Sequence, residues 1–274
     1  MILNNMITFL NGQQVCRLGQ GTWAMGQNQA KRRDEIAALR HGVELGLNLI
    51  DTAELYDNEE LVGEAVKGIR EKVFLVSKVL PSKADYNGTI ASCERSLRRL
   101  GVDCIDLYLL HWIGQYPFEE TVRGMQRLQQ DGKIRMWGMS NLDVCHMETL
   151  PDVEHCATDQ VLYNLGERGV EYDLIPWCQQ RNMPVMAYTP MGSGKLLKSK
   201  VLQEIAERHN ASPAQIAHAW TMRLDGIIAI AKAGTIAHVD DNFKSLKIEL
   251  TSQDVADLDS AFPPPTHKIP LAGW

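Results

Sequence analysis

The chain has 274 residues, 45% of them hydrophobic, and a formal net charge of −6. That length suits a single α/β barrel domain over residues 1–274, with apolar residues enough for a large core. The mildly acidic balance argues against nucleic acid as a partner, and no run of 18 apolar residues offers a membrane span.

The chain reads as a hairpin followed by a regular alternation. Residues 6–10 and 14–16 flank Asn11-Gly12, a dipeptide suited to a tight two-residue turn because both positions accept positive φ. Residues 17–23 read as a short strand and a loop. Ile36, Leu39 and Val43 keep helical spacing before a strand at 49–50. A helix at 60–69 leads to a strand at 73–76, and a helix at 90–100, stopped by Gly101, to a strand at 105–110. A helix at 121–130, stopped near Gly132, precedes a strand at 134–137. A short helical piece at 144–150 precedes a strand at 158–162. A helix at 171–180, interrupted by Pro176, precedes a strand at 185–188. Helices at 201–208 and 213–224 follow, the second opened by Ser212-Pro213-Ala214-Gln215, a capping box with proline in the first turn. A strand at 227–230 and helices at 238–246 and 251–261 complete the pattern before Pro263-Pro264-Pro265 breaks it.

Behind the hairpin, strands end near 22, 52, 78, 111, 140, 163, 189 and 231. Eight strand–helix units in a domain of this size predict a closed (β/α)8 barrel with an N-terminal β-hairpin and additional C-terminal helices. A doubly wound open sheet is the alternative. In a barrel the C-terminal strand ends share one mouth, so the ends carry the chemistry.

Several motif-like stretches carry none. Gly19-Gln20-Gly21-Thr22-Trp23-Ala24 matches the dinucleotide fingerprint, but a loop-like stretch follows it and the next strand-end acid, Asp51, is far beyond the usual spacing. Met191-Gly192-Ser193-Gly194-Lys195 imitates the end of a P-loop, yet Thr189 and Leu196 stand where glycine and a hydroxyl residue are required. Such a loop still suits a phosphate through its backbone N–H groups. Six scattered cysteines without C-x-x-C read as reduced and structural, and neither Cys145-His146 nor His155-Cys156 has metal-ligand spacing. Residues 1–5 lack a basic n-region and a long apolar stretch, so the expected location is the cytoplasm and the sequons at Asn87 and Asn210 are idle.

Four polar residues at or just beyond the ends of successive strands stand out: Asp51 and Tyr56, Lys78, and His111. Each alone would be a surface or packing residue. Together they make a site. Aspartate fixes the lysine ammonium, and a cation beside Tyr56 is expected to lower its pKa from ~10 toward that of a general acid. His111 can hydrogen-bond a carbonyl oxygen as negative charge develops.

With Asp51-Thr52-Ala53-Glu54-Leu55-Tyr56, Lys78, Leu109-Leu110-His111-Trp112, Gly138-Met139-Ser140-Asn141, Gln160, Tyr188 and Ala231-Lys232-Ala233, the chain resembles the aldo-keto reductase superfamily along nearly its whole length. It is most similar to short bacterial members of the methylglyoxal reductase type. The resemblance implies NADPH laid across the barrel mouth. It assigns Asp51, Tyr56, Lys78 and His111 to the catalytic tetrad. Ser140, Asn141 and Gln160 would hold the carboxamide, and Tyr188 would stack on the nicotinamide. Cofactor contacts are expected from Gly21, Thr22, Trp23, Thr189, Pro190, Met191, Gly192, Ser193, Ile230, Lys232, Ala233, Gly234, Thr235, His238, Asp241 and Asn242. Substrate would meet Trp23, Tyr56, His111 and Trp112. Where many members have serine and arginine after the lysine, this chain has Ala233 and His238, and Asp240 and Asp241 add negative charge. NADH therefore stands beside NADPH as a candidate.

The resemblance implies reduction of small aldehydes, ketones or dicarbonyls by a monomer without a metal. A short tail beyond Ala261 favours an open mouth and small polar substrates. The alternatives are a nucleotide-responsive regulatory protein on the same barrel, and an aldolase using Lys78 as a Schiff base, which its acidic neighbour disfavours.

Overall fold

The computed structural model describes residues 5–194 and 196–273. The opening hairpin pairs β1 (Met6–Thr8) antiparallel with β2 (Gln14–Cys16). Its turn is longer than the two-residue form. Gly12 donates to the Phe9 carbonyl at 2.8 Å, Phe9 donates to that of Gln13 at 2.9 Å, and of Asn11 and Gly12 only the glycine takes positive φ, at 83°. Asn11 instead accepts the Gln13 N–H at 3.0 Å through its side chain.

The barrel strands are β3 (Leu18–Gly21), β4 (Leu49–Asp51), β5 (Phe74–Val79), β6 (Ile105–Leu110), β7 (Ile134–Ser140), β8 (Cys156–Leu162), β9 (Val185–Tyr188) and β10 (Ile227–Lys232). They pair parallel in chain order, and β10 closes the ring on β3. The open sheet is thereby excluded. Around the barrel run α1 (Arg32–Glu44), α2 (Glu59–Val66), α3 (Tyr86–Leu100), α4 (Phe118–Gln130), α5 (Val144–Met147), α6 (Leu174–Gln179), α7 (Lys200–Arg208), α8 (Pro213–Thr221), α9 (Ile236–Lys244) and α10 (Ser252–Ala261). Among the described residues no helix is long and apolar enough to cross a membrane.

Local chemistry sets the helix ends. Asp85 caps α3 by accepting the Gly88 N–H at 2.9 Å, and Gly101 closes it in the left-handed region. Capping boxes open α8, from Ser212 and Gln215, and α10, from Thr251 and Asp254. Pro176 does not interrupt a helix. It sits in the first turn of α6, where its missing N–H costs nothing, and residues 169–171 form a separate 3-10 turn.

Side chains alternate between two apolar layers. Leu49, Phe74, Val76, Leu107, Leu109, Met186, Ile228 and Ile230 fill the barrel interior, while Ile50, Leu75, Tyr108, Leu110, Val185, Ala187 and Ile227 pack outward against the helices. The hairpin plugs the N-terminal end, where Phe9 stacks on Phe74 with ring centroids 4.9 Å apart. On β3 the interior positions are Gly19 and Gly21. A Cβ on Gly19 would strike Leu49 and Ile230 within 3 Å, and one on Gly21 would press Ile230 at 3.0 Å. The G-x-G pair is therefore there for packing, with no helix opening after it.

Candidate active site

The period of two that fills the barrel also arms its mouth. One step beyond the last apolar interior residue of their strands stand Asp51, Lys78, His111, Tyr188 and Lys232, joined by Ser140 and Gln160 from β7 and β8. Tyr56 arrives differently, on a 3-10 turn (Glu54–Tyr56) just past β4.

Lys78 is fully buried. Its ammonium donates to both Asp51 carboxylate oxygens, at 2.9 and 2.8 Å, and to the Thr52 carbonyl at 2.9 Å. It lies 3.4 Å from the Tyr56 hydroxyl. Burial alone would strip its proton, but the Asp51 charge, together with the hydrogen bonds to Asp51 and the Tyr56 hydroxyl, holds its pKa above the ordinary lysine value. Tyr56 responds in the direction opposite to the sequence expectation. Burial raises its pKa, Lys78 offsets only part of that, and Asp51 adds to the rise. A lysine already neutralised by a carboxylate cannot pull a desolvated phenol down. The resting site therefore keeps Tyr56 protonated.

The His111 ring sits edge-on to Tyr56, with centroids 5.6 Å apart. Burial, then Lys78, pushes its pKa down to about 3, so the ring is neutral. Its Nδ1 is sealed from solvent and has no partner among the described residues. A proton there would be an orphaned buried N–H, which costs more than an orphaned lone pair. The proton therefore belongs on Nε2, leaving the site a neutral donor.

Hydrogen bonds that the sequence did not reveal, and one residue it passed over, Asn58, hold this group together. Gln160 Nε2 donates to Asp51 Oδ1 at 2.8 Å, tying β8 to the Asp51–Lys78 pair across 109 positions of chain. Asn58 accepts from the Thr52 hydroxyl at 2.8 Å and donates to the Thr22 carbonyl at 2.7 Å, which locks the Trp23 loop to the Tyr56 turn. Glu54 accepts from the Leu80 N–H at 2.8 Å and from Lys83 at 2.9 Å, pinning that turn to the loop after β5. The signal in the sequence was a run of polar residues beside Tyr56 without an obvious solvent face.

The other expected residues are placed as follows. Trp23 and Trp112 are exposed; Trp23 meets Tyr56 edge-on at 5.0 Å and Trp112 leans on His111 at 4.7 Å. Thr22 is buried, its hydroxyl bonded to the Asp51 carbonyl at 3.0 Å. Ser140 donates to the Gln160 carbonyl at 2.8 Å; Asn141 donates to the His111 carbonyl at 3.0 Å and accepts from the Tyr188 hydroxyl at 2.8 Å. Thr189, in the left-handed region, starts the loop through Pro190, Met191, Gly192 and Ser193, and its carbonyl accepts from Gly192 at 3.0 Å. Lys195, the lysine of the P-loop imitation, lies outside the described residues.

Lys232 is exposed at the end of β10, with Ala233 buried behind it. A Cβ on Gly234 would come 3.5 Å from its ammonium, so the glycine leaves that charge uncovered. Thr235 caps α9 by accepting the His238 N–H at 3.3 Å. The neighbouring acids are occupied elsewhere. Asp240 pairs with His41 at 2.7 Å, and Asp241 accepts from Ser212 at 3.0 Å and Gln215 at 2.6 Å. Asn242 is buried against α8.

Residues 17–262 match the Aldo/keto reductase family. The chain is 53% identical to methylglyoxal reductase YeaE of Escherichia coli, over 97% of this chain and 98% of that one. It is 34% identical to glyoxal reductase of Bacillus subtilis, covering 94% and 93% of the two chains. A crystal structure of an aldo/keto reductase from Klebsiella pneumoniae in complex with NADP and acetate superposes with a TM-score of 0.96 at 45% identity, covering 98% of this chain and 99% of that one.

Proposed function

Because the chain belongs to the aldo/keto reductase family, we propose that it uses NADPH to reduce small aldehydes, ketones and dicarbonyls of the methylglyoxal kind to alcohols, with Tyr56 as the proton donor. The observation that carries the assignment of roles is the Lys78 ammonium, set between the Asp51 carboxylate and the Tyr56 hydroxyl.

The mouth fits the cofactor. Gln160 Oε1 has no protein partner among the described residues, at the base of the mouth where an amide is to be received. Lys232, uncovered by Gly234, stands beside the N-terminus of α9, a pairing suited to a phosphate. Ser140, Asn141 and Gln160 would hold the carboxamide, the Tyr188 ring the nicotinamide face, residues 189–194 the pyrophosphate, and Asn242 the base. With Asp240 and Asp241 turned to other partners, the acids beside Lys232 oppose a 2′-phosphate less than their sequence positions suggest, which favours NADPH over NADH.

Bound NADPH supplies the hydride to the carbonyl carbon. His111 Nε2–H hydrogen-bonds the carbonyl oxygen and orients it. As negative charge grows on that oxygen, Tyr56 transfers its phenolic proton to it. Lys78, held charged by Asp51, stabilises the tyrosinate left behind. Exposed Trp23 and Trp112 border the mouth, beside Tyr56 and His111.

The test is a panel of methylglyoxal, glyoxal, simple aldehydes and ketones run with both cofactors. Dicarbonyl-dependent oxidation of NADPH in preference to NADH is expected. Tight NADPH binding without turnover on any carbonyl would instead identify a nucleotide-responsive regulator.

A further inference from the structure

Helix α8 lies behind the nucleotide side of the mouth and supplies none of the expected cofactor contacts, yet it grips the helix that supplies several. Gln215 Nε2 donates to Asp241 Oδ1 at 2.6 Å. One turn on, His218 Nε2 meets Asn242 Oδ1 at 3.2 Å. Asn242 follows Thr235 and His238 along one stripe of α9, at the spacing that lines residues up on a helix face.

His218 is fully buried and its Nδ1 has no partner among the described residues. Burial lowers its pKa to about 4, although the Asn242 contact works against the fall. The ring is thus neutral and carries one proton. A proton on Nδ1 would be a buried N–H without an acceptor; on Nε2 it is satisfied by Asn242 and leaves only a lone pair unmet. An Nε2–H must meet an oxygen, so Asn242 turns Oδ1 inward to His218. Its Nδ2 then faces outward. That atom has no protein partner among the described residues and is not among the sealed atoms.

We infer that His218 is a positioning residue for the cofactor: it fixes the Asn242 amide so that the cleft is offered N–H donors, ready for a ring-nitrogen acceptor of the nucleotide base. This inference rests on the NADPH reading of the same cleft. His218 touches neither the nicotinamide end nor the tetrad, so its contribution belongs to cofactor affinity and not to the chemical step. Without it the amide can turn over, and half of its orientations present an oxygen to an acceptor.

The experiment measures NADPH binding calorimetrically for wild type, His218→Leu, His218→Gln, Asn242→Ala and the double variant His218→Leu/Asn242→Ala. His218→Leu is expected to weaken binding about 3- to 10-fold, the scale of one hydrogen bond, with kcat at saturating NADPH unchanged. His218→Gln, which keeps a donor, is expected to recover part of the affinity. In the Asn242→Ala background the His218→Leu penalty is expected to vanish, because the two residues act as one. Nitrogen-15 NMR of the unmodified apoprotein reads the tautomer without any variant, and a neutral, Nε2-protonated ring between pH 5.5 and 8 is expected. Unchanged NADPH affinity in His218→Leu, an undiminished penalty in the Asn242→Ala background, or an Nδ1–H tautomer would each overturn the inference. Wild-type protein that fails to bind NADPH would overturn it together with the proposed function.

Discussion

Tyr56 is protonated at rest because burial outweighs the neighbouring cation, and His111 is neutral because burial and Lys78 oppose its charge. Neither group changes state in the neutral range. The kcat/KM of carbonyl reduction is therefore expected to stay flat between pH 5 and 7.5, and a pH–rate profile with a break near 6 or 7 would show that another group carries the proton. The reverse oxidation needs tyrosinate and should quicken as pH rises. A second buried acid, Asp159, faces outward from β8 beside Gln160. Burial lifts its carboxyl to about 8, only partly checked by the Leu142 N–H. An unfolded aspartate titrates near ~3.9, so between roughly pH 4 and 8 the unfolded chain has released a proton that the folded chain still holds. Stability linked to this group is full below about pH 4 and declines as pH rises toward 8. Asp159→Asn removes that dependence. Thermal unfolding should place the variant a few degrees above wild type at pH 8, on the scale of ~2–4 °C per kcal/mol, and close to it at pH 4.5. The grouping of Asp51, Tyr56, Lys78 and His111 was legible in the sequence because they sit at or just beyond strand ends. The sign of the Tyr56 shift was not, since it depends on how deeply a loop residue is buried once the barrel closes.

At the scale of elements, the sequence patterns that carried over are those with a local cause. Gly101 ends α3 and Ser212 opens α8 where their chemistry required. The hairpin turn and α6 differ because their outcome depends on neighbours. Asn11 satisfies the Gln13 N–H through its side chain, so it has no need of the left-handed region. Pro176 is harmless because the helix begins two residues before it. Helix packing is the other feature that sequence hides. Gly63 in α2 lies against the end of α3, where a Cβ would strike the Leu100 carbonyl, a backbone group that cannot swing aside. Gly63→Ala is expected to lower stability by about 1–3 kcal/mol, as overpacking does. Chemical denaturation would read it as a lower midpoint with an unchanged slope. An unaltered midpoint would mean that α2 and α3 have room to part.

For the whole molecule, one alternation explains both core and site. In most strands alternate residues enter the barrel, apolar from the hairpin plug upward and polar at the last step; β3 instead enters with Gly19 and Gly21. Eight strand ends could be counted from the sequence, and closure followed from that count. What could not be read was the cross-barrel wiring, such as Gln160 on Asp51 or Asn58 on the Trp23 loop, since those partners meet only when distant segments fold together. The account as a whole stands on Tyr56 being the proton donor at the point where the strand ends converge. Tyr56→Phe removes one hydroxyl and leaves the ring that packs against Trp23 and His111. With the fold and NADPH binding verified as intact, methylglyoxal-dependent NADPH oxidation by this variant is expected to fall about 10²- to 10⁴-fold in kcat/KM; a rate within a few-fold of wild type would contradict the assignment.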